Sequence, residues 1–137
     1  MGERKTRILV ACVRRAYTRL FAILSGYELT YVTSLADARV ALQADDFDLI
    51  LIGRYFDESR MFDLLQDVRA DARFQYVPVA CFRGIAADAQ GKAGLEGVES
   101  ACKDMGANAY FDLPAYPDDA LGNAAVRQVV DGLLGAV

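Results

Sequence analysis

The chain has 137 residues, the size of one ordinary domain with a single core. Hydrophobic residues make up 54% of it and charged residues 25%, which excludes a disordered protein. A net charge of −4 argues against a nucleic-acid-binding domain, the absence of histidine removes Ser-His-Asp and Cys-His catalysis, and no apolar run reaches the roughly 18 residues a bilayer span requires.

The N-terminus is charged, and the apolar run Ile8 to Val13 is too short for a signal peptide, so a cytoplasmic protein with no membrane partner is expected. Arg7 to Val13 reads as a first buried strand. Tyr17, Leu20, Phe21 and Leu24 follow at i, i+3, i+4 and i+7, the spacing of an amphipathic helix that Gly26 closes. Tyr27 to Thr33 is rich in β-branched and aromatic residues and predicts strand two. Ser34 with Asp37 forms a weak capping box for a helix from Leu35 to Ala44.

Phe47-Asp48-Leu49-Ile50-Leu51-Ile52-Gly53 is the centre of the pattern. Four large apolar residues in a row, bounded by an acid and a glycine, predict a strand buried on both faces of a parallel sheet. Asp57 or Ser59 is expected to cap a third helix with the core stripe Met61, Leu64, Leu65 and Val68. Tyr76 to Phe82 predicts strand four, with Pro78 near its start. Gly84 to Gly97 reads as a loop or frayed turn that firms into a helix by Leu95, with the stripe Leu95, Val98, Cys102 and Met105 and a stop at Gly106. Ala109 to Leu113 predicts a short fifth strand. A last helix begins near Pro117-Asp118-Asp119 and turns Val126, Val129, Val130 and Leu133 to the core.

Five alternating strand–helix units predict one α/β domain over residues 1–137, a doubly wound (βα)5 sandwich with right-handed crossovers. Cys12, Cys81 and Cys102 are odd in number and lack metal-ligand spacing, so reduced, buried thiols are expected.

The pattern resembles the receiver domain of bacterial response regulators over nearly the whole chain. Phe47-Asp48-Leu49-Ile50-Leu51-Ile52 is similar to that family's third strand, and Val77-Pro78-Val79 to the start of its fourth. Gly106-Ala107-Asn108-Ala109-Tyr110-Phe111-Asp112-Leu113-Pro114 is similar to its Gly-Ala-x-x-Tyr-x-x-Lys-Pro segment. The resemblance implies a flavodoxin-like, five-stranded parallel sheet in the order 2-1-3-4-5 and a place in two-component signal transduction.

It also implies five chemical positions: two strand-one acids that bind Mg²⁺, an acceptor aspartate after strand three, a hydroxyl after strand four and a lysine after strand five. Here these positions read Cys12 and Val13, Gly53, Arg83 and Leu113. Mg²⁺ demands hard oxygen ligands, and phosphoryl transfer rests on positioning and charge stabilisation. No Mg²⁺, no cofactor and no enzymatic activity are therefore expected. A relocated acceptor at Asp57 is weighed against helix capping.

Tyr110 matches the family's switching aromatic; an Arg83–Tyr110 contact is weighed against a fixed surface tyrosine. Arg14, Arg15, Arg54 and Arg83 follow the strand ends and could line an anion site, or be neutralised by Asp57, Glu58 and Asp88, or face solvent. The leading expectation is a phosphorylation-independent pseudo-receiver acting by protein–protein interaction, a homodimer included. Its surface would lie around Tyr110, Asp112, Tyr116 and Arg127, as the resemblance implies. The alternative is a sensor of small anionic ligands at the arginine-lined mouth of the sheet.

Overall fold

All five residues of strand β3 (Leu49–Gly53) are buried, because helices cover both faces of the sheet at its centre. The computed structural model describes residues 5–85 and 92–135, with side chains left aside at 92–96. The other strands are β1 (Arg7–Ala11), β2 (Glu28–Val32), β4 (Val79–Arg83) and β5 (Ala109–Asp112), all parallel in the order β2-β1-β3-β4-β5. The helices are α1 (Arg14–Ile23), α2 (Leu35–Ala44), α3 (Met61–Ala70), α4 (Lys92–Asp104) and α5 (Ala120–Gly135). The strand order and fold class agree with the expectation.

Two cores follow from the alternation of side chains along each strand. On one face Leu9, Ala11, Ile50, Ile52, Val79 and Cys81 meet α2, α3 and Cys102 of α4. On the other Ile8, Val10, Leu49, Leu51, Ala80, Phe82 and Phe111 meet Ala16, Leu20 and Ile23 of α1 and Val126 and Val130 of α5. Among the described residues no helix is long and apolar enough to cross a membrane.

Several local expectations hold with a mechanism attached. The Ser34 hydroxyl accepts the Asp37 N–H at 3.1 Å and opens α2. Gly106 stops α4 at φ +105°, where a side chain would be strained. Met61, Leu64, Leu65 and Val68 are all buried on α3. All three cysteines are free and buried.

Other expectations are corrected. The buried stripe of α1 is Ala16, Leu20 and Ile23, while Phe21 is 63% exposed. The apolar spacing was right, but α1 rests on the sheet along a stripe that passes Phe21 by. Helix α4 starts at Lys92, so it is formed by Leu95 as expected, and the segment read as a loop up to Gly97 is helical from residue 92. In its stripe Cys102 is buried, Val98 is half-buried and Met105 is 36% exposed; the Leu95 side chain lies outside the described residues. Neither Asp57 nor Ser59 caps α3: the residue before it is Arg60, and no side chain accepts there.

Candidate functional site

The carboxyl ends of β1, β3, β4 and β5 meet at one edge of the sheet, where open α/β sheets place their chemistry. Pairing sets Gly53 beside Phe82 and Arg83 beside Asp112. A Cβ on Gly53 would lie 2.9 Å from the Cβ of Cys12 and 3.4 Å from Cζ of Phe82. Phe82 stacks on Phe111, with ring centroids 5.1 Å apart and planes 7° apart. Leu113, the residue after β5, is fully buried in the same apolar cluster as Cys12, Phe82 and Phe111. An apolar plug thus fills the sheet end, and glycine is required at 53 because its neighbours already occupy the side-chain space.

The plug decides the chemistry of Cys12. Burial pushes its thiol up to about 12, so at neutral pH it is neither a thiolate nucleophile nor a soft metal ligand. Mg²⁺ does not fit here either. Cys12, Val13 and Gly53 offer no side-chain oxygen, and Asp57 and Asp112 hold other partners. Asp57 Oδ2 accepts the Leu35 N–H at 2.8 Å, tying the segment after β3 to the start of α2. Asp112 takes Arg83 in a fork, Nε to Oδ1 at 2.7 Å and Nη2 to Oδ2 at 3.0 Å.

The four arginines named from the sequence do not converge on one pocket. Arg83 is only 12% exposed and its fork is filled by Asp112, which raises its already high pKa through that hydrogen bond. Arg54 packs over the ring of Tyr55, 5.5 Å from its centroid. Arg14 and Arg15 are exposed on the first turn of α1. Asp88 lies outside the described residues. Arg54, Tyr55 and Ser59 do share a cavity of about 240 Å³ with Met61, Phe62 and Val98.

Between β3 and α3, residues Phe56–Ser59 make one left-handed turn. Asp57, Glu58 and Ser59 have φ of 42°, 56° and 66°, and the Arg60 N–H closes the turn on the Phe56 carbonyl at 2.7 Å. Left-handed backbone costs a non-glycine residue roughly 1–2 kcal/mol. Buried Phe56 and the Asp57–Leu35 bond are what hold it there.

The four residues expected to form a contact surface are also separated. Tyr110 and Asp112 lie on the edge strand β5, and Tyr110 packs against the α2–α3–α4 core. The Arg83–Tyr110 contact weighed above does not form: Arg83 turns to Asp112, and the Tyr110 hydroxyl is buried with no hydrogen-bond partner among the described residues. Burial pushes that phenol up to about 12. Tyr116 packs against the α1–α5 core and its carbonyl accepts from Arg19 Nη2 at 2.7 Å. Arg127 turns away from β5. Its Nη1 donates to the carbonyls of Ile23 and Ser25, and its guanidinium covers the ring of Tyr27 at 4.4 Å.

Sequence reasoning missed Arg19. It reaches from α1 to the segment after β5, donating to the carbonyls of Leu113, Tyr116 and Pro117 and to Asn123 Oδ1. Arg69 does the same on the other face for the carbonyls of Gly106 and Phe74 and for Asn108 Oδ1. Nothing in the local pattern distinguishes these arginines from solvated ones, since most of their partners are backbone carbonyls and asparagines far along the chain, with Asp118 3.5 Å from Arg19 Nε as the one carboxylate among the described residues.

No family model and no curated protein matches this sequence. Solved structures do match along nearly all of it. The phosphorylated cyanobacterial phytochrome response regulator RcpA superposes with a TM-score of 0.75 at 17% identity, covering 98% of this chain and 97% of its own. A putative response regulator from Chloroflexus aurantiacus gives 0.76 at 18% identity, with 96% and 98% covered. An orphan response regulator of H. pylori gives 0.65 at 13% identity, with 94% and 96% covered. The fold is that of response regulator receiver domains. On this receiver fold the plug of Cys12, Phe82, Phe111 and Leu113 sits at the sheet end where the sequence resemblance places the acceptor chemistry.

The plug has a pH signature. The unfolded chain loses the Cys12 proton near its ordinary value of 9.0, whereas the folded thiol keeps it to about 12. Tyr110 behaves alike between 10.0 and about 12. A raised folded pKa gives stability that is full below the unfolded value and is lost as pH climbs to the folded one. The unfolding free energy is therefore expected to fall above pH 9 through Cys12, by about 1.4 kcal/mol per pH unit, with a smaller contribution from half-buried Tyr110 that begins only above pH 10. Urea melts from pH 8 to 10.5 measure it, and Cys12→Ala should make the decline shallower. A decline unchanged by that substitution would mean Cys12 ionises freely in the folded state.

Proposed function

We propose that this chain is a receiver-like signalling module that works without being phosphorylated and acts through protein–protein contact. One observation carries the reading: a side chain at the acceptor position would meet Cys12 at 2.9 Å and Phe82 at 3.4 Å. A receiver that takes a phosphoryl group needs an open, oxygen-lined pocket there, and this chain has packed the space with apolar atoms. The receiver fold supports a signalling role, and a sheet end without nucleophile, metal ligands or lysine supports one of another kind. The contact surface is proposed on the β5 edge around Tyr110 and Asp112, for a protein partner or a second copy of the chain.

The second reading, an anion held at the arginine-lined mouth, has less support. Arg83 is filled by Asp112, and Arg14 and Arg15 stand apart on α1.

Incubation with acetyl phosphate or phosphoramidate and Mg²⁺, followed by intact-mass spectrometry, tests the leading reading. No added phosphoryl group is expected. A Mg²⁺-dependent adduct, at Asp57 or elsewhere, overturns it.

A further inference from the structure

Helix α1 carries more aromatic surface than the core uses. Its buried stripe is Ala16, Leu20 and Ile23, yet Tyr17 and Phe21 stand beside that stripe, and Phe21 is 63% exposed. With Tyr31 of the edge strand β2 they line a groove of about 330 Å³, completed by Arg14 and Thr18. That volume lies within the range of small-molecule sites, roughly 300–1,000 Å³. We propose that this groove between α1 and β2 binds a small planar aromatic anion.

The walls suit flat rings. Tyr17 and Tyr31 lie parallel and stacked, with centroids 3.9 Å apart and planes 4° apart. Phe21 stands tilted to it, 5.9 Å from Tyr17 at 55°. A flat ring entering this angle meets an aromatic wall in the offset or edge-to-face arrangements that aromatic quadrupoles favour.

The charge sign is equally specific. Among the described residues Arg14 is the one ionic group lining the groove, and no carboxylate lines it. Arg14 makes no ion pair among the described residues, in contrast to Arg7, Arg19, Arg39, Arg73, Arg83 and Arg127. Its fork is therefore open to a carboxylate, sulfonate or phosphate, and its place on the first turn of α1 adds the favourable end of the helix dipole. The Thr18 hydroxyl is committed to the Arg14 carbonyl at 3.1 Å. The Tyr31 hydroxyl is buried with no hydrogen-bond partner among the described residues, an unusual state for a buried donor unless a ligand or water completes it. Burial raises its pKa, so it remains a donor at neutral pH.

The walls Tyr17 and Tyr31 pack against the cluster that holds the plug, but the test reads ligand binding and not phosphorylation, so it does not depend on the proposed signalling role. The probe is 8-anilinonaphthalene-1-sulfonate, an aromatic anion that brightens on binding, titrated into the full chain. One saturable site is expected. Phe21→Ala and Arg14→Ala should each weaken binding about fivefold or more. Both residues are exposed, so Tm should stay within about 2 °C, which separates a lost site from a loosened fold. The neutral analogue N-phenyl-1-naphthylamine should respond to Phe21→Ala but not to Arg14→Ala. Binding of the anion that either substitution leaves unchanged, or several equivalent sites, overturns the proposal.

Discussion

Gly53→Asp is expected to destabilise the protein by about 3 kcal/mol or more and to gain no phosphoryl group from a small donor. The first part follows from space and charge. The new Cβ falls 2.9 Å from the Cβ of Cys12 and 3.4 Å from the Phe82 ring, and overpacking a well-filled core costs roughly 1–3 kcal/mol. The carboxylate would then be placed against Cys12 and Phe82, and an unpaired polar group in such surroundings adds several kcal/mol, about 2–7. Urea denaturation gives the stability, and intact mass the phosphorylation state.

Two further variants separate the contributions. Gly53→Ala keeps the crowding and removes the charge, so it should cost about 1–3 kcal/mol. That cost should shrink in a Cys12→Gly background, which removes the opposing Cβ, and persist in a Cys12→Ala background, which keeps it. Equal costs in both backgrounds would show that Cys12 is not what fills the acceptor position. A stable Gly53→Asp protein that takes up phosphate with Mg²⁺ would overturn the plug itself.

Gly122→Ala is expected to be as damaging, at about 3 kcal/mol or more, although alanine is the better helix former. A Cβ at 122 would run into the carbonyl oxygen of Pro117 and lie 2.8 Å from its carbon. That carbonyl cannot easily retreat. It accepts from Arg19 Nη2 at 2.8 Å and from the Asp119 N–H at 2.9 Å, and the Gly122 N–H is itself bound to Asp119 Oδ1 at 2.8 Å. Moving it would disturb the Arg19 strut that holds the segment from Leu113 to Pro117.

Gly132, on the same helix, has open space where its Cβ would go. Gly132→Ala should therefore stabilise the protein by about 0.5–1 kcal/mol. Thermal melts of the two variants give the comparison. Similar effects from both would show that the close approach at Gly122 does not hold in solution.

The alternation of strands and helices, the α3 stripe and the α2 cap were legible from the sequence because each rests on local signals, whereas the strand order rested on the resemblance to receiver domains. The four-residue apolar run of β3, the Ser34–Asp37 cap and the α3 stripe from Met61 to Val68 are all read within a few residues. Phe21 was misread because spacing fixes a helix's apolar side but not the angle at which it rests on the sheet. Asp57 was misread because its partner, the Leu35 N–H, lies 22 residues earlier on another helix.

The sequence by itself determined that Cys12, Val13 and Gly53 offer no side-chain oxygen, since residue identity alone decides that; that these, with Arg83 and Leu113, stand at a receiver's five chemical positions is what the resemblance implies. Only the tertiary structure decided what took their place. Strand pairing seats Phe82 beside Gly53 and Asp112 beside Arg83. It thereby closes the mouth with an apolar plug and fills an arginine that the sequence offered for a ligand. The same packing leaves Arg14 open beside three aromatic rings on α1 and β2. The reason is physical: composition tells which groups a chain carries, but an ion pair or a filled cavity belongs to residues that meet only when the sheet forms.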